Sequence, residues 1–211
     1  MRGIDVSVHN KSINWNKVKD SIDFAIVRGG YATTVDRYAK TNIENIIKSG
    51  IKLGVYWFSY AYTDNMAKRE AETMCDLCDN YKKHITFPLF FDFEYDSKRY
   101  ADDMGQKITK KLIQSMTDCF CDTVKQRGYK AGFYANTDYV KNWYGVEYCT
   151  KATLGDKYFW YAQWGVDRPK HMCDIWQNSC SGRIDGINGN VDTNISYINL
   201  GNKTLEVEIK R

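Results

Sequence analysis

Asp92 and Glu94 are two carboxylates separated by one residue, and they directly follow the apolar run Pro88-Leu-Phe-Phe91. Side chains two positions apart on a β-strand point to the same face, so both acids share one side of a strand. Two like charges at a buried strand end raise the pKa of at least one of them, as a general acid near neutral pH requires. A strand that simply ends in solvated acids has the same spacing, so other residues must decide between these interpretations.

Strand-like runs alternate with helix-like runs along most of the chain. Strands are predicted at residues 3–8, 24–28, 53–59, 87–93, 131–135, 158–163 and 174–177, with an eighth near 184–187. Helices are predicted at 42–49, 65–81 and 109–127, the first and last ending at Gly50 and Gly128. Strands separated by helices imply parallel βαβ units, and helical patterns become sparse after Trp143. The predicted fold is α/β, an irregular TIM-like β/α barrel of about eight strands, helix-poor in its C-terminal half. A doubly wound sheet is the weaker alternative, because no glycine-rich phosphate motif follows a strand.

The active site of a β/α barrel lies at the C-terminal ends of its strands. Asp5 in the first predicted strand and Asp192 near the end of the chain join Asp92 and Glu94 as candidate catalytic acids. This four-acid group and an aromatic content of 15% favour an active site over a solvated strand end. Candidate substrate-binding residues at the other strand ends are Arg28, Tyr31, Tyr56, Trp57, Tyr134, Gln163, Trp164 and Trp176. Each of these tryptophans is explained equally well by core packing.

Composition narrows the possible partners. The net charge of +4 is mild and the basic residues form no dense run, so neither nucleic acid nor a membrane is an expected partner. Seven cysteines are interpreted as mostly free thiols, since Cys75-x-x-Cys78 lies in a predicted helix without a second pair at metal-site spacing. We therefore predict no metal and no cofactor. The three histidines are scattered, which argues against a Ser-His-Asp or Cys-His site.

The sequence resembles the lysozymes of glycoside hydrolase family 25, the Chalaropsis-type muramidases of bacteria and phages. The resemblance covers about residues 2–200, and its motifs occur in the order of the family. They are Gly3-Ile-Asp5-Val-Ser7 with Ile13-Asn-Trp15, Phe24-Ala-Ile-Val-Arg-Gly-Gly30, Gly54-Val-Tyr-Trp-Phe-Ser59, Leu89-Phe-Phe-Asp92-Phe-Glu94, Gly132-Phe-Tyr134-Ala-Asn136, Tyr161-Ala-Gln-Trp164, Ile175-Trp-Gln177 and Val191-Asp192-Thr-Asn194. One departure is Trp57, which stands where the family usually has histidine.

The resemblance implies hydrolysis of the β-1,4 bond between N-acetylmuramic acid and N-acetylglucosamine in bacterial peptidoglycan, with Glu94 as the general acid. Asp92 would orient the substrate's 2-acetamido group or stabilise the positive intermediate, while Asp5 and Asp192 bind sugar hydroxyls and tune the pair. Two alternatives stay open. The four acids could bind two Mg²⁺ ions in a metal-dependent phosphodiesterase, or the cleft could belong to a non-catalytic glycan-binding module.

Domain organisation and location are further expectations. Residues 1–202 are predicted to form the catalytic domain of a phage endolysin or bacterial autolysin. Residues 203–211 are predicted to be a tail or the start of a linker to a wall-binding module. No signal peptide is visible at Met1. We therefore expect action at the bacterial cell wall after phage-type release from the cytoplasm, or after removal of a signal.

Overall fold

Eight strands are joined into a closed ring, and the computed structural model describes residues 1–198 of the chain. The order around the ring is β1, β2, β4, β5, β6, β7, β8 and β9, which returns to β1, while the short β3 pairs only with β2. The strand bounds are β1 Arg2–Val6, β2 Phe24–Tyr31, β3 Thr34–Val35, β4 Lys52–Phe58, β5 Ile85–Asp92, β6 Ala131–Asn136, β7 Tyr158–Ala162, β8 Ile175–Gly182 and β9 Val191–Ser196. The predicted α/β barrel of about eight strands is confirmed.

The last strand departs from the prediction in position and direction. From β1 through β8 the ring neighbours are parallel, whereas β9 runs antiparallel to both β8 and β1. The eighth strand was predicted near residues 184–187, but that segment is a turn. Gly186 in this turn has a φ of 98°, and a Cβ there would lie 2.7 Å from the carbonyl oxygen of Asn14. With no room for a crossover helix, the chain returns as a hairpin.

The helices are concentrated in the first two thirds of the chain, as predicted. They are α1 Trp15–Val18, α2 Ala39–Lys48, α3 Asp64–Asp79, α4 Tyr95–Asp103, α5 Lys110–Gln126 and α6 Lys151–Leu154, with a π-helix at Tyr139–Tyr144. Thr63 and Thr109 cap α3 and α5 by accepting backbone N–H bonds from Met66 and Leu112. No predicted helix corresponds to α4, because it buries only Ser97 and Ala101 and therefore carries no apolar stripe.

Alternation along the strands creates two apolar layers. Outward side chains pack against α2, α3 and α5, while inward side chains fill the lumen. At the N-terminal end of the barrel the rings of Phe24 and Phe87 stack with centroids 4.6 Å apart. A Cβ on Gly3 would lie 2.5 Å from the Phe24 ring, so glycine there makes room for it. This end is closed by packing, which leaves the C-terminal end as the place for a ligand.

Two further expectations concern the boundaries of the chain and membranes. The predicted domain boundary at residue 202 and the tail at 203–211 lie outside the described residues. Within residues 1–198 no helix is both long and apolar enough to cross a membrane.

Candidate active site

The four candidate catalytic acids lie together at the C-terminal mouth of the barrel. Asp5 in β1 pairs in register with Asp192 in β9, Asp92 ends β5, and Glu94 is the N-cap of α4. All four line one cleft of about 410 Å³, a volume typical of small-ligand sites. The cleft is also lined by Arg28, Tyr56, Tyr134, Trp160, Trp164 and Gln177.

Asp5 is fixed at the centre of a hydrogen-bonded layer across the lumen. Its Oδ2 accepts hydrogen bonds from Gln177 Nε2 at 3.0 Å and from Asn194 Nδ2 at 2.7 Å. Tyr134 donates its hydroxyl to Gln177 at 3.2 Å, and the Trp160 indole N–H donates to Asn194 at 2.8 Å. Both amides are thereby held by a second partner, so Asp5 cannot turn without disturbing the layer.

Burial makes Asp5 a weak acid. The pKa of Asp5 is raised to about 8, because burial and, second, the charge of Asp192 outweigh the lowering effect of the two amide donors. The pKa of Asp192 is also raised by burial, and its hydrogen bond with Asp5 acts in the opposite direction. Asp5 is therefore the member of this pair that keeps a proton at neutral pH, with Asp192 as the acceptor.

Asp92 is the buried acid without a partner. Its side chain is 4% exposed, and its Oδ1 is one of three buried side-chain polar atoms among the described residues that form no hydrogen bond. The pKa of Asp92 is raised well above its ordinary value. Burial is the largest cause, the charges of Glu94 and Asp5 raise it further, and the charge of Arg28 lowers it. Arg28 forms its ion pair with a different acid, because its Nε lies 2.7 Å from Oδ2 of Asp36. An unpartnered buried acceptor facing a cleft indicates that a ligand supplies the donor.

Glu94 is placed by its own backbone at the start of α4. Its N–H donates to the hydroxyl of Ser97 at 3.0 Å, which fixes the turn from β5 into the helix. The start of a helix favours a negative charge. The pKa of Glu94 is nevertheless raised to about 7, mainly because the side chain is buried and secondly because the charges of Asp192 and Asp96 lie near it. A carboxyl group that is half protonated near neutral pH matches the requirement for a general acid.

The predicted substrate-binding residues separate into two groups. Arg28, Tyr56, Tyr134 and Trp164 line the cleft, and Trp164 is 50% exposed. Tyr31 does not line the cleft. It lies on the surface, where its ring centroid is 6.4 Å from that of Tyr60. Gln163, Trp57 and Trp176 do not reach the cleft.

Trp57 and Trp176 face outward, and core packing is the explanation that holds for both. The side chain of Trp57 is 0% exposed, and its indole N–H donates to the carbonyl of Ala32 at 2.8 Å. The Trp176 indole donates to the carbonyl of Gln163 at 2.8 Å, and the Gln163 side chain accepts from the backbone of Lys170. The physical reason is the period of two: since Tyr56 and Gln177 point inward, their neighbours cannot.

Three residues of the layer around Asp5 were missing from the candidates predicted from the sequence, namely Gln177, Trp160 and Asn194. Trp160 and Asn194 lie on the inner face of the barrel, where they complete the layer around Asp5. The signal was available for Trp160, because Tyr158, Trp160 and Ala162 share a face of a predicted strand. Asn194 stands two positions after Asp192 in a motif shared with the family, but its strand was predicted elsewhere, so its inward direction was not recognised. Within the described part of the chain, no group of three or more His, Cys, Asp and Glu side chains is arranged to hold a metal ion.

Comparison with known proteins agrees with this geometry. The sequence profile of the family described as "Glycosyl hydrolases family 25" matches residues 4–187. The chain belongs to glycosyl hydrolase family 25. It is therefore a glycoside hydrolase, and the resemblance predicted from its motifs is confirmed.

Individual relatives are distant in sequence but similar over nearly the whole chain. Lysozyme M1 of Streptomyces globisporus is 26% identical over 206 residues, which cover 92% of this chain and 67% of the relative. The autolytic lysozyme of Clostridium acetobutylicum is 26% identical, over 91% of this chain and 54% of that protein. The structure of the modular autolysin LytC from Streptococcus pneumoniae, solved with a synthetic peptidoglycan ligand, superposes with a TM-score of 0.77 at 25% identity. That match covers 93% of this chain and 46% of LytC, so the chain spans about half the length of the last two proteins.

A buried acid outside the cleft holds the loop that follows β4. Oε2 of Glu70 in α3 lies 2.5 Å from the hydroxyl of Ser59, and its Oε1 accepts from the backbone N–H of Tyr60 at 2.9 Å. Burial raises the pKa of Glu70 to about 8, despite these two hydrogen bonds. Ser59 also donates its backbone N–H to the carbonyl of Asp92 at 2.7 Å, so Glu70 supports the cleft wall from behind.

The two tryptophan environments predict different effects of substitution. Trp57→Phe removes a buried indole and its hydrogen bond, so we expect a loss of about 1–3 kcal/mol in the free energy of unfolding. Trp164→Ala changes an exposed ring at the cleft, so we expect an increased KM with stability unchanged. Thermal unfolding and steady-state kinetics of both variants test this. Equal stability of Trp57→Phe and wild type would contradict the outward placement.

Glu70 predicts a decrease of stability with rising pH. In the folded chain it keeps its proton up to about pH 8, whereas in the unfolded chain it ionises near 4.5. Its contribution is therefore complete below that lower value and is lost as pH rises toward 8, at up to about 1.4 kcal/mol per pH unit. Glu70→Gln, which imitates the protonated acid, should flatten this dependence in denaturant unfolding at pH 5 and pH 8. Glu72→Gln on the same helix is the control, and an unflattened Glu70→Gln profile would refute the assignment.

Proposed function

We propose that the chain is an N-acetylmuramidase, a lysozyme that hydrolyses the β-1,4 bond between N-acetylmuramic acid and N-acetylglucosamine in peptidoglycan. The observation that carries the proposal is the pair at the cleft, in which Glu94 has a pKa of about 7 and Asp92 presents an unpartnered buried oxygen. Family membership favours glycoside hydrolysis over the phosphodiesterase alternative.

Glu94 acts as the general acid. Its proton passes to the glycosidic oxygen as the bond from that oxygen to the anomeric carbon breaks, and the bonding electron pair stays on the leaving oxygen. Water then completes hydrolysis, and Glu94 recovers a proton from it, as microscopic reversibility requires. The raised pKa supports this role, because a carboxyl group with its ordinary pKa of 4.5 would be almost fully ionised near neutral pH.

Asp92 orients the 2-acetamido group of the substrate. The N–H of that group donates to the unpartnered carboxyl oxygen, and its carbonyl oxygen attacks the anomeric carbon in place of an enzyme nucleophile, as in other substrate-assisted hydrolases. A donor bound to Asp92 favours its ionised form, which leaves the proton of the pair on Glu94. The alternative role, stabilisation of a positive intermediate by the Asp92 carboxylate, uses the same charge.

Sugar rings extend from the cleft over aromatic surfaces on two sides. Trp164 follows β7 and is exposed at the lining. Phe58 is the last residue of β4 and lines the cleft. Its ring centroid lies 5.4 Å from that of Tyr60. Tyr60 in turn contacts Tyr31, so this side offers a continuous aromatic surface for a glycan strand.

The site of action follows from the substrate. We propose that the chain works at the bacterial cell wall and that a wall-binding module accompanies it on its C-terminal side. Support comes from the modular autolysin LytC, in which this chain matches less than half of the protein. Binding of purified chain to isolated walls, compared with a fusion to a known wall-binding module, tests whether it needs such help.

Glu94→Gln tests the assignment of the general acid. The amide cannot donate the proton, so we expect wall lysis and the release of reducing ends to fall by a factor of about 10²–10⁴ with folding intact. Mass spectrometry of the muropeptides from wild-type digestion should show N-acetylmuramic acid at the new reducing ends. Glu72→Gln, at a partly exposed glutamate of α3, is the control. Undiminished lysis by Glu94→Gln would contradict the mechanism, and loss of activity in EDTA with recovery in Mg²⁺ would favour the phosphodiesterase.

The pKa of Glu94 predicts the alkaline limit of activity. Because only the protonated form donates, kcat/KM should fall as pH rises through about 7. The measurement is the initial rate on a soluble peptidoglycan fragment across this range, with circular dichroism at each pH to exclude unfolding. A rate that rises through neutrality would mean that Glu94 acts as the carboxylate.

A further inference from the structure

Tyr139 packs against both neighbours of the proposed general acid. It begins the π-helix that follows β6, and its side chain is buried. Its ring centroid lies 6.4 Å from that of Phe93 and 5.2 Å from that of Tyr95, the residues on either side of Glu94. Single-turn π-helices are frequent at functional sites, which favours a functional role for a residue at this position.

The hydroxyl of Tyr139 is buried without a hydrogen-bond partner among the described residues. Such an orphaned group is costly and rare, and the cleft acid Asp92 supplies another of the few found in residues 1–198. Tyr144 at the other end of the same π-helix shows the ordinary situation, because its hydroxyl lies 3.0 Å from that of Thr117. Tyr139 therefore retains a polar group for which the resting structure provides no use.

Two hydrogen bonds fix the segment that carries Tyr139. The backbone N–H of Tyr139 donates to Asn136 Oδ1 at 2.9 Å, and the hydroxyl of Tyr95 donates to Asp138 at 3.1 Å. The segment after β6 is thus tied to the residue that follows Glu94. Burial raises the pKa of Tyr139, and the charge of Glu94 is the next largest cause, ahead of those of Tyr95, Asp138 and Asp92. Glu94 stands between the two residues whose rings contact that of Tyr139, so its carboxylate is the acceptor that this packing indicates for the hydroxyl.

We propose that Tyr139 is a positioning residue that donates its hydroxyl proton in a hydrogen bond to the Glu94 carboxylate formed during the reaction. In the resting structure Glu94 is the acid that carries the proton, and the hydroxyl of Tyr139 forms no hydrogen bond with it. When that proton moves to the glycosidic oxygen and the C–O bond breaks, a negative charge stays on Glu94 and accepts the hydroxyl of Tyr139. The bond is released when Glu94 recovers a proton from water. This inference rests on the proposed role of Glu94 as the acid.

Tyr139→Phe tests the inference by removing only the hydroxyl. Because the hydroxyl is orphaned in the resting protein, the variant should be more stable, with a Tm raised by roughly 2–4 °C. Because the carboxylate of Glu94 loses a donor, kcat should fall by about 10-fold to 100-fold with KM unchanged. The alkaline limb of the kcat profile should also move to higher pH, since a lost donor raises the pKa of the acid.

Tyr144→Phe is the matched control from the same π-helix. It removes a hydroxyl that is hydrogen-bonded to Thr117, so it should lower the Tm and leave kcat and the pH profile unchanged. Wild-type kcat in Tyr139→Phe would overturn the inference, and so would an unmoved alkaline limb. Failure of the proposed function has a different signature, which is full activity of Glu94→Gln whatever Tyr139→Phe does.

Discussion

The hydrogen bonds that Asp5 accepts from Gln177 and Asn194 join the first strand of the barrel to its last two. Their partners are 172 and 189 residues apart in sequence, so the ends of the described chain meet at this carboxyl group. The contacts that close the ring are consequently also part of the cleft. Asp92 and Glu94 come from the middle of the chain, and they acquire Asp192 as a neighbour only when β9 is in place.

The low polarizability of the lumen gives these acids their properties. Packed rings of Phe24 and Phe87 close one end of the barrel, so the carboxyl groups at the other end are solvated from one side only. Burial is the largest cause of the raised pKa of Asp5, Asp92 and Glu94 alike, and like charges come second. A site built in this way keeps protons on its carboxyl groups at neutral pH. The same burial disfavours the ionised forms, so folding and acid strength are set by a single physical effect.

Much of this arrangement could be predicted from the sequence, because local patterns carry it. Alternating strands and helices gave the barrel, and the spacing of Asp92 and Glu94 placed both acids on one face. The placement of Trp57 and Trp176 at the cleft was wrong, because the alternation of side chains along a strand had not been applied to them. The rule that placed Phe93 away from the cleft also places Trp57 and Trp176 outside, once Tyr56 and Gln177 are assigned to the lumen. The antiparallel β9 was out of reach, because its direction depends on the hairpin that replaces a crossover rather than on its own residues.

Several outward side chains behind the cleft wall contact the backbone or the rings of residues near the cleft. Trp57 binds the carbonyl of Ala32 in the turn after Tyr31, and Glu70 binds the backbone of Tyr60. Tyr139 packs against the neighbours of Glu94. The first two hydrogen bonds fix backbone beside Phe58, a lining residue of the cleft whose carbonyl accepts the N–H of Ala32 at 3.3 Å, while Tyr139 acts through the packing of its ring. Since every inward residue of a strand has outward neighbours, the packing of the outer layer determines the geometry of the inner one. We therefore expect a change in the outer core to displace the acids of the cleft through the backbone that the two layers share.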